Sequence, residues 1–396
     1  MRKLSSFNFL KNASIYTFSD VLNKIVPFLL LPVLTRYLSP TDYGIIAVFT
    51  IFTSVLGVFI SLETHSALSV YYFKLKRDKL KVYLYNTLLI IFTTTLIVLI
   101  VVLIGKNYLE KTLELPLKWL IIGVLVAAFS LFSTINLLLW QNEKKPIPLS
   151  SFRIAQTIVN LGVTLLLVVG FGMNWEGRLI GSTVAAILFG FFSFIFFFKR
   201  DYLTISYNRK FALDALKFGL PLLPHAISMW IKVGIDRILL TSLVSAAAAG
   251  LYTVGYQIGS VLMVLTNAFN KSYTPYVYEK LANNEEDVKL KQVKYAYYYF
   301  AFLLLIALLL STIFPWFFKF FLGKDFGDSI EFIPWFAFSF AFYGMYYIVL
   351  NYVMFTKKTL MLSYVTFTIG IIHILLSYWF IKMNGAIGAA QANTVV

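Results

Sequence analysis

Long apolar stretches alternate with short polar ones along the whole chain. Runs of about 20 predominantly apolar residues, the length a helix needs to cross a hydrocarbon core, occupy residues 12–35, 43–70, 82–104, 117–140, 150–172, 178–198, 215–242, 249–271, 293–315, 332–355 and 359–381. This pattern predicts eleven spanning helices. A twelfth opens at Gly385 and reaches Val396 after about 12 residues, roughly 18 Å of helix, so a truncated last helix is expected. The longest connections, 199–214 and 272–292, are rich in Lys and acids and too short for a folded soluble domain, which places function within the helices.

Composition agrees with the pattern. The 396 residues are 59% hydrophobic and only 13% charged, against about 25% charged in soluble domains. The basic Met1–Lys11 segment leads into a full-length apolar run with no small-residue cleavage site, and is read as preceding a first transmembrane helix. The formal charge of +16 gains meaning once Lys and Arg are sorted by connection. With the N-terminus cytoplasmic, 23 fall on the cytoplasmic side and eight on the other, as the positive-inside rule requires. The excess is therefore an orientation signal directed at anionic membrane lipids, and no nucleic acid partner is implied. The chain has no Cys, which excludes disulfides, thiolate metal sites and Cys nucleophiles; His65, His225 and His373 are too scattered to build a metal centre. No Gly-x-x-x-x-Gly-Lys-Ser/Thr occurs, so direct ATP drive and a cofactor are not expected.

Shifting the sequence by 206 positions aligns helices one and two with seven and eight without a gap, with sixteen identities over residues 10–75. They include Ser39 and Gly44 against Ser245 and Gly250, and Lys74-Leu75 against Lys280-Leu281. A shift of six helices preserves orientation. The expected architecture is all-α: two six-helix bundles, 1–198 and 215–396, in a parallel pseudo-twofold repeat, joined by a cytoplasmic linker over 199–214. Such repeats belong to transporters that place substrate between the halves and work by alternating access.

Phe218-Gly219-Leu220-Pro221, Asp236-Arg237, Gly250-Leu251-Tyr252, Pro275, Leu38-Ser39-Pro40-x-x-Tyr43-Gly44 and Gly385-Ala386-Ile387-Gly388-Ala389-Ala390 carry a family likeness. Together with the span pattern, the chain resembles the polysaccharide-exporting branch of the multidrug/oligosaccharidyl-lipid/polysaccharide (MOP) flippase superfamily. The resemblance implies a V-shaped cleft lined by helices 1, 2, 7 and 8. It implies a non-enzymatic O-antigen or capsule repeat-unit flippase of the bacterial inner membrane, whose substrate is an oligosaccharide on undecaprenyl diphosphate. The polymerase of the same pathway is a candidate partner.

Ionisable groups inside spans are costly and normally face a bundle interior or water. Helix one carries Asp20 and Lys24, and helix seven Lys232 and Asp236, both at i,i+4, followed by Arg237. At the helical rise, Asp20 lies about 14 Å deep, Lys24 about 20 Å and Lys232 about 22 Å. Each couple could close on itself as a neutral pair. Alternatively Lys24, Lys232 and Arg237 supply cations to a diphosphate-sugar headgroup, with Asp20 and Asp236 as charge partners or coupling groups. Arg153, opening helix five, either reaches a headgroup at the entrance or snorkels to the interface. Glu63 and His65 are candidates for gating or proton linkage. His373 is expected to be a packed or cavity histidine satisfied by a neighbour. Gln156, Asn160, Gln257, Asn267 and Asn270 suit either sugar hydroxyls or interhelical contacts. Pro27, Pro32, Pro221 and Pro224 interrupt the paired helices and are expected hinges. Drive would come from H+ or Na+, or from the substrate gradient.

Three other readings compete. A multidrug exporter would favour unpaired acidic groups near the midplane, where cations predominate here. A membrane polymerase or ligase would place catalytic residues in a long outer loop, whereas 105–116 and 316–331 are the largest. A major-facilitator transporter would need Gly-x-x-x-Asp-Arg where the chain reads Phe73-Lys74-Leu75-Lys76-Arg77-Asp78.

Overall fold

The structure is a computed structural model and describes residues 28, 30–282, 286–355 and 359–396. Among these, every regular element is helical. In chain order they are α1 Leu31–Tyr37, α2 Pro40–Ser61, α3 Ala67–Lys74, α4 Arg77–Ile104, α5 Lys106–Leu113, α6 Leu117–Asn142, α7 Pro146–Leu165, α8 Trp175–Lys199, α9 Arg209–Gly219, α10 Leu223–Leu243, α11 Ala246–Ala282, α12 Glu286–Thr312, α13 Phe314–Phe321, α14 Ile333–Phe355, α15 Thr359–Asn384 and α16 Ala386–Val395. Nine stretches are long and apolar enough to cross a membrane, and a tenth forms if the bent pair Arg209–Lys232 and Gly234–Leu243 is counted as one. Ten of the eleven predicted spans thus have counterparts; the first, 12–35, lies mostly outside the described residues. The predicted stub is α16.

The chain divides into two compact units, one holding Ile45–Trp230 and the other Ile231–Val396 together with the described part of Val26–Gly44. The 199–214 segment lies within the first unit and is fastened there. The Asn86 amide donates to Ser206 O at 3.1 Å and its Oδ1 accepts from Asn208 N at 3.0 Å. Asn208 in turn caps α9 by accepting from the backbone N–H of Lys210 and Phe211. Arg200 donates to Asn136 Oδ1 at 2.8 Å and to Glu143, which also accepts from Tyr202 at 2.5 Å and Lys145 at 3.0 Å. Burial pushes the Glu143 carboxyl up, but the hydrogen bonds from Tyr202, Arg200 and Lys145 outweigh it and hold the group below the usual carboxylate range. Aromatic packing closes this unit's core, with the Phe152 ring 5.3 Å from Trp140 and 5.0 Å from Phe189.

The second unit is built on Tyr252, Phe336, Phe340 and the small residues Ala249, Ala389 and Ala390. It shows the repeat at atomic scale. A Cβ on Gly44 would stand 1.8 Å from Ala246 O, and one on Gly250 1.9 Å from Pro40 O. Under the 206-residue shift Gly44 becomes Gly250 and Pro40 becomes Ala246, so the two contacts are one contact seen twice. Only glycine lets the backbones of α2 and α11 approach this closely. Ser39 and Asp42 form a capping box with Pro40 at the first helical position: Ser39 N–H and Oγ–H donate to Asp42 Oδ2 at 2.8 and 2.7 Å, and Asp42 N–H donates to Ser39 Oγ. In the second copy Ser245 keeps the cap, accepting from Ala248 N.

The copies differ further along. The α2 span ends in two consecutive left-handed residues, Leu62 (φ 44°) and Glu63 (φ 54°), before a short 3-10 turn and α3. Their counterparts, Ala268 and Phe269, lie inside the uninterrupted α11.

Candidate functional site

The seventh span concentrates the described charges of the membrane interior. Asp236 is fully buried in the second unit. Tyr252 donates to its Oδ2 at 2.6 Å, Ser377 to its Oδ1 at 2.7 Å, His373 Nε2 stands 3.2 Å away, and Asn393 approaches at 3.4 Å. These partners come from α11, α15 and α16, so Asp236 ties three other helices to α10. His373 and Ser377 share one face of α15 at i,i+4. Asn393 also accepts from Ser339 at 2.9 Å, which gives the short last helix a place in the cluster.

Lys232 stands apart from this arrangement. Among the described residues it pairs with no carboxylate; its ammonium lies 5.4 Å from the centre of the Tyr343 ring, a cation–π contact. The local Lys232–Asp236 pair is therefore not formed. Arg237 is buried, its guanidinium 4.6 Å from the Tyr256 ring and 5.3 Å from that of Tyr252. From Tyr343 a polar seam runs between α14 and α11: Tyr347 donates to Asn267 Oδ1 at 2.8 Å, the Tyr343 hydroxyl lies 3.1 Å from that of Tyr347, and Asn351 donates to Asn270 at 2.8 Å. Asn267 and Asn270 thus make interhelical bonds.

In the first unit, Arg153, Gln156 and Asn160 lie along α7 and line a cavity of about 360 Å³ between α6, α7 and α8. Asn160 Oδ1 accepts from Arg178 at 2.6 Å, and Arg178 also donates to Thr164 at 3.0 Å. Glu63 accepts from Ser66 at 3.1 Å. Lys24, Asp20 and Pro27 lie outside the described residues. Pro32 sits at the second position of α1, Pro224 at the second position of α10, and Pro221 in the 3-10 turn Leu220–Leu222 between α9 and α10. The 53° bend of the seventh span falls instead between Lys232 and Gly234, beyond the reach of either proline's missing hydrogen bond.

Sequence reasoning singled out Asp236, Arg237, Lys232 and His373 but assigned no role to Tyr252, Ser377 or Asn393. Tyr252 stood within a quoted motif; the His-x-x-x-Ser spacing in α15 was the one available signal for Ser377.

Residues 9–281 match the family described as "Polysaccharide biosynthesis protein". The chain belongs to this family. Two relatives of this polysaccharide biosynthesis family member come from Haemophilus influenzae. An uncharacterized membrane protein is 28% identical over 90% of the chain and 86% of its own length, and Lsg locus putative protein 1 is 26% identical over 89% and 86%. Among solved structures it is similar to the lipid II flippase MurJ in an inward closed conformation (TM-score 0.75, 17% identity, covering 98% of this chain and 84% of that one). It is also similar to an inward-facing multidrug resistance MATE transporter of the MOP superfamily (TM-score 0.70, 15% identity, covering 93% and 91%). The family member is a multi-pass membrane protein with the MOP transporter fold.

Proposed function

We propose that this protein flips undecaprenyl-diphosphate-linked oligosaccharide repeat units, of O-antigen or capsule type, from the cytoplasmic to the outer leaflet of the bacterial inner membrane by alternating access, with its N-terminus cytoplasmic. One observation carries the reading beyond family membership: Asp236 spends its acceptors on Tyr252, Ser377 and His373, leaving the Lys232 charge uncompensated by a carboxylate among the described residues. An ammonium held against a ring is suited to an anion stripped of water, and a diphosphate is such an anion. In this reading Lys232, Arg237 and Lys24 hold the headgroup while the polyprenyl tail stays in lipid. Asp236 with His373 is the coupling group. Its bonds reach α11, α15 and α16, so a cation that engaged this carboxylate would redistribute the contacts of three helices.

The test deletes the gene in its host and assays membranes for single lipid-linked repeat units on the cytoplasmic leaflet. They are expected to accumulate, and to be cleared by the wild-type gene but not by the Lys24→Ala, Lys232→Ala, Arg237→Ala triple variant at equal abundance. Sensitivity to cationic drugs without saccharide accumulation would replace this reading with a multidrug exporter.

A further inference from the structure

The cavity beside Arg153 does not end at α6. Through Val126 and Ser130 it adjoins a second cavity of about 180 Å³ between α2 and α6. The larger one, at about 360 Å³, already falls within the size range of ligand pockets. Both lie wholly in the first unit.

Their chemistry sets them apart from the rest of the molecule. In a chain that is 18% aromatic, no aromatic ring and no carboxylate lines either cavity among the described residues. The polar groups are hydroxyls, the two amides of Gln156 and Asn160, and the Arg153 guanidinium. The hydroxyl protons are largely committed to the helices that bear them: Thr53 and Ser54 donate to Thr50 O at 2.9 and 2.8 Å, Thr134 to Ser130 O at 2.9 Å and Ser182 to Leu179 O at 2.9 Å. Their oxygens therefore face the cavities as acceptors, while guanidinium and amides supply donors. A ligand that donates and accepts at closely spaced positions matches this lining; an apolar chain or a flat organic cation does not. Gly57 adds room, since a Cβ there would meet no atom within 4 Å.

We infer that this paired cavity is the saccharide-binding site of the first unit, receiving the sugar portion of the lipid-linked substrate through Arg153, Gln156 and the surrounding hydroxyls. The inference rests on the flippase reading and names where the glycan is held.

Because the chain lacks Cys, single cysteines report on the site without background. Gln156→Cys and, at the junction, Ser130→Cys are labelled with a charged, water-soluble thiol reagent in native membranes. The membranes come from cells that assemble the lipid-linked saccharide and from cells blocked at its first sugar transfer. Both positions should label about tenfold more slowly when the saccharide is present, the protection given by occupancy at ten times the dissociation constant. Ile205→Cys, at a position 86% exposed, should label equally in both. Arg153→Gln should remove the protection. Equal labelling with and without saccharide overturns the inference, as does failure of both cavity cysteines to react at all, since a dry cavity holds no sugar. Protection by inorganic diphosphate alone would assign the cavity to the headgroup and also overturn it. Saccharide accumulation on gene deletion, measured in parallel, separates the two claims: accumulation without cavity protection leaves the flippase reading standing and removes this one.

Discussion

At the scale of single residues, the competition for Asp236 is decided by magnitudes. A local i,i+4 ion pair contributes about 0.2–0.5 kcal/mol on a helix surface, whereas each hydrogen bond to a buried charge contributes about 1.5–3 kcal/mol. The donors from α11 and α15 therefore win, and Lys232 is left to Tyr343. This outcome could not be read from spacing, because Tyr252, Ser377 and Asn393 are brought to Asp236 by tertiary packing from 16, 141 and 157 residues away. What was legible was the cost: an aspartate and a histidine in apolar runs had to find partners. Two predictions follow from the assignment. Tyr252→Phe, which removes one donor from a buried carboxylate, should destabilise the protein by about 1–3 kcal/mol, measured by thermal unfolding in detergent. Lys232→Ala should leave that unfolding temperature nearly unchanged while abolishing complementation, and Lys232→Arg should restore part of it; a large stability loss in Lys232→Ala would make the lysine structural.

Among elements, the starts of α2 and α11 were legible because their caps are local chemistry: Ser39 with Asp42, Ser245 alone, and a glycine five residues on in each copy. The break after Ser61 was not, because its repeat partner continues as helix. Left-handed geometry at Leu62 and Glu63 costs of order 1–2 kcal/mol per residue, a strain absent from the second copy. Asn tolerates this geometry and a β-branched residue does not, so Glu63→Val should lower stability by about 1–2 kcal/mol while Glu63→Asn is neutral or better. The equal response of both variants would place the strain elsewhere. The prolines mark element starts, where their missing N–H is harmless, so sequence located the interruptions but not the bend beside Gly234. The 199–214 segment, expected as a linker, is held by an acid-sensitive clamp. Because the folded Glu143 carboxyl is held low, its stabilisation is present above the ordinary value of 4.5 and is lost as pH falls through the depressed one. The stability gap between wild type and Glu143→Gln should accordingly close on acidification below pH 4.5; a gap that widens would contradict the assignment.

For the whole molecule, the spans and the repeat were legible because a bilayer imposes a length rule on every segment and a duplicated chain repeats its contacts, as the reciprocal Gly44 and Gly250 approaches do. Replacing either glycine with Ala forces backbone apart and should destabilise the protein, with the two substitutions showing similar losses. The chemistry of transport was less legible, since it depends on which polar groups the bundles consume internally and which they leave for a ligand. The most direct test of the flippase account reconstitutes the purified protein into vesicles containing the host's own lipid-linked saccharide and adds an impermeant reagent that modifies sugars. Without the protein only the outer-leaflet half of the saccharide reacts. With it, and under an imposed proton gradient, the remainder should become reactive, and the Lys24→Ala, Lys232→Ala, Arg237→Ala variant should leave it protected. A protected inner-leaflet pool in the presence of folded, reconstituted wild-type protein would contradict the account.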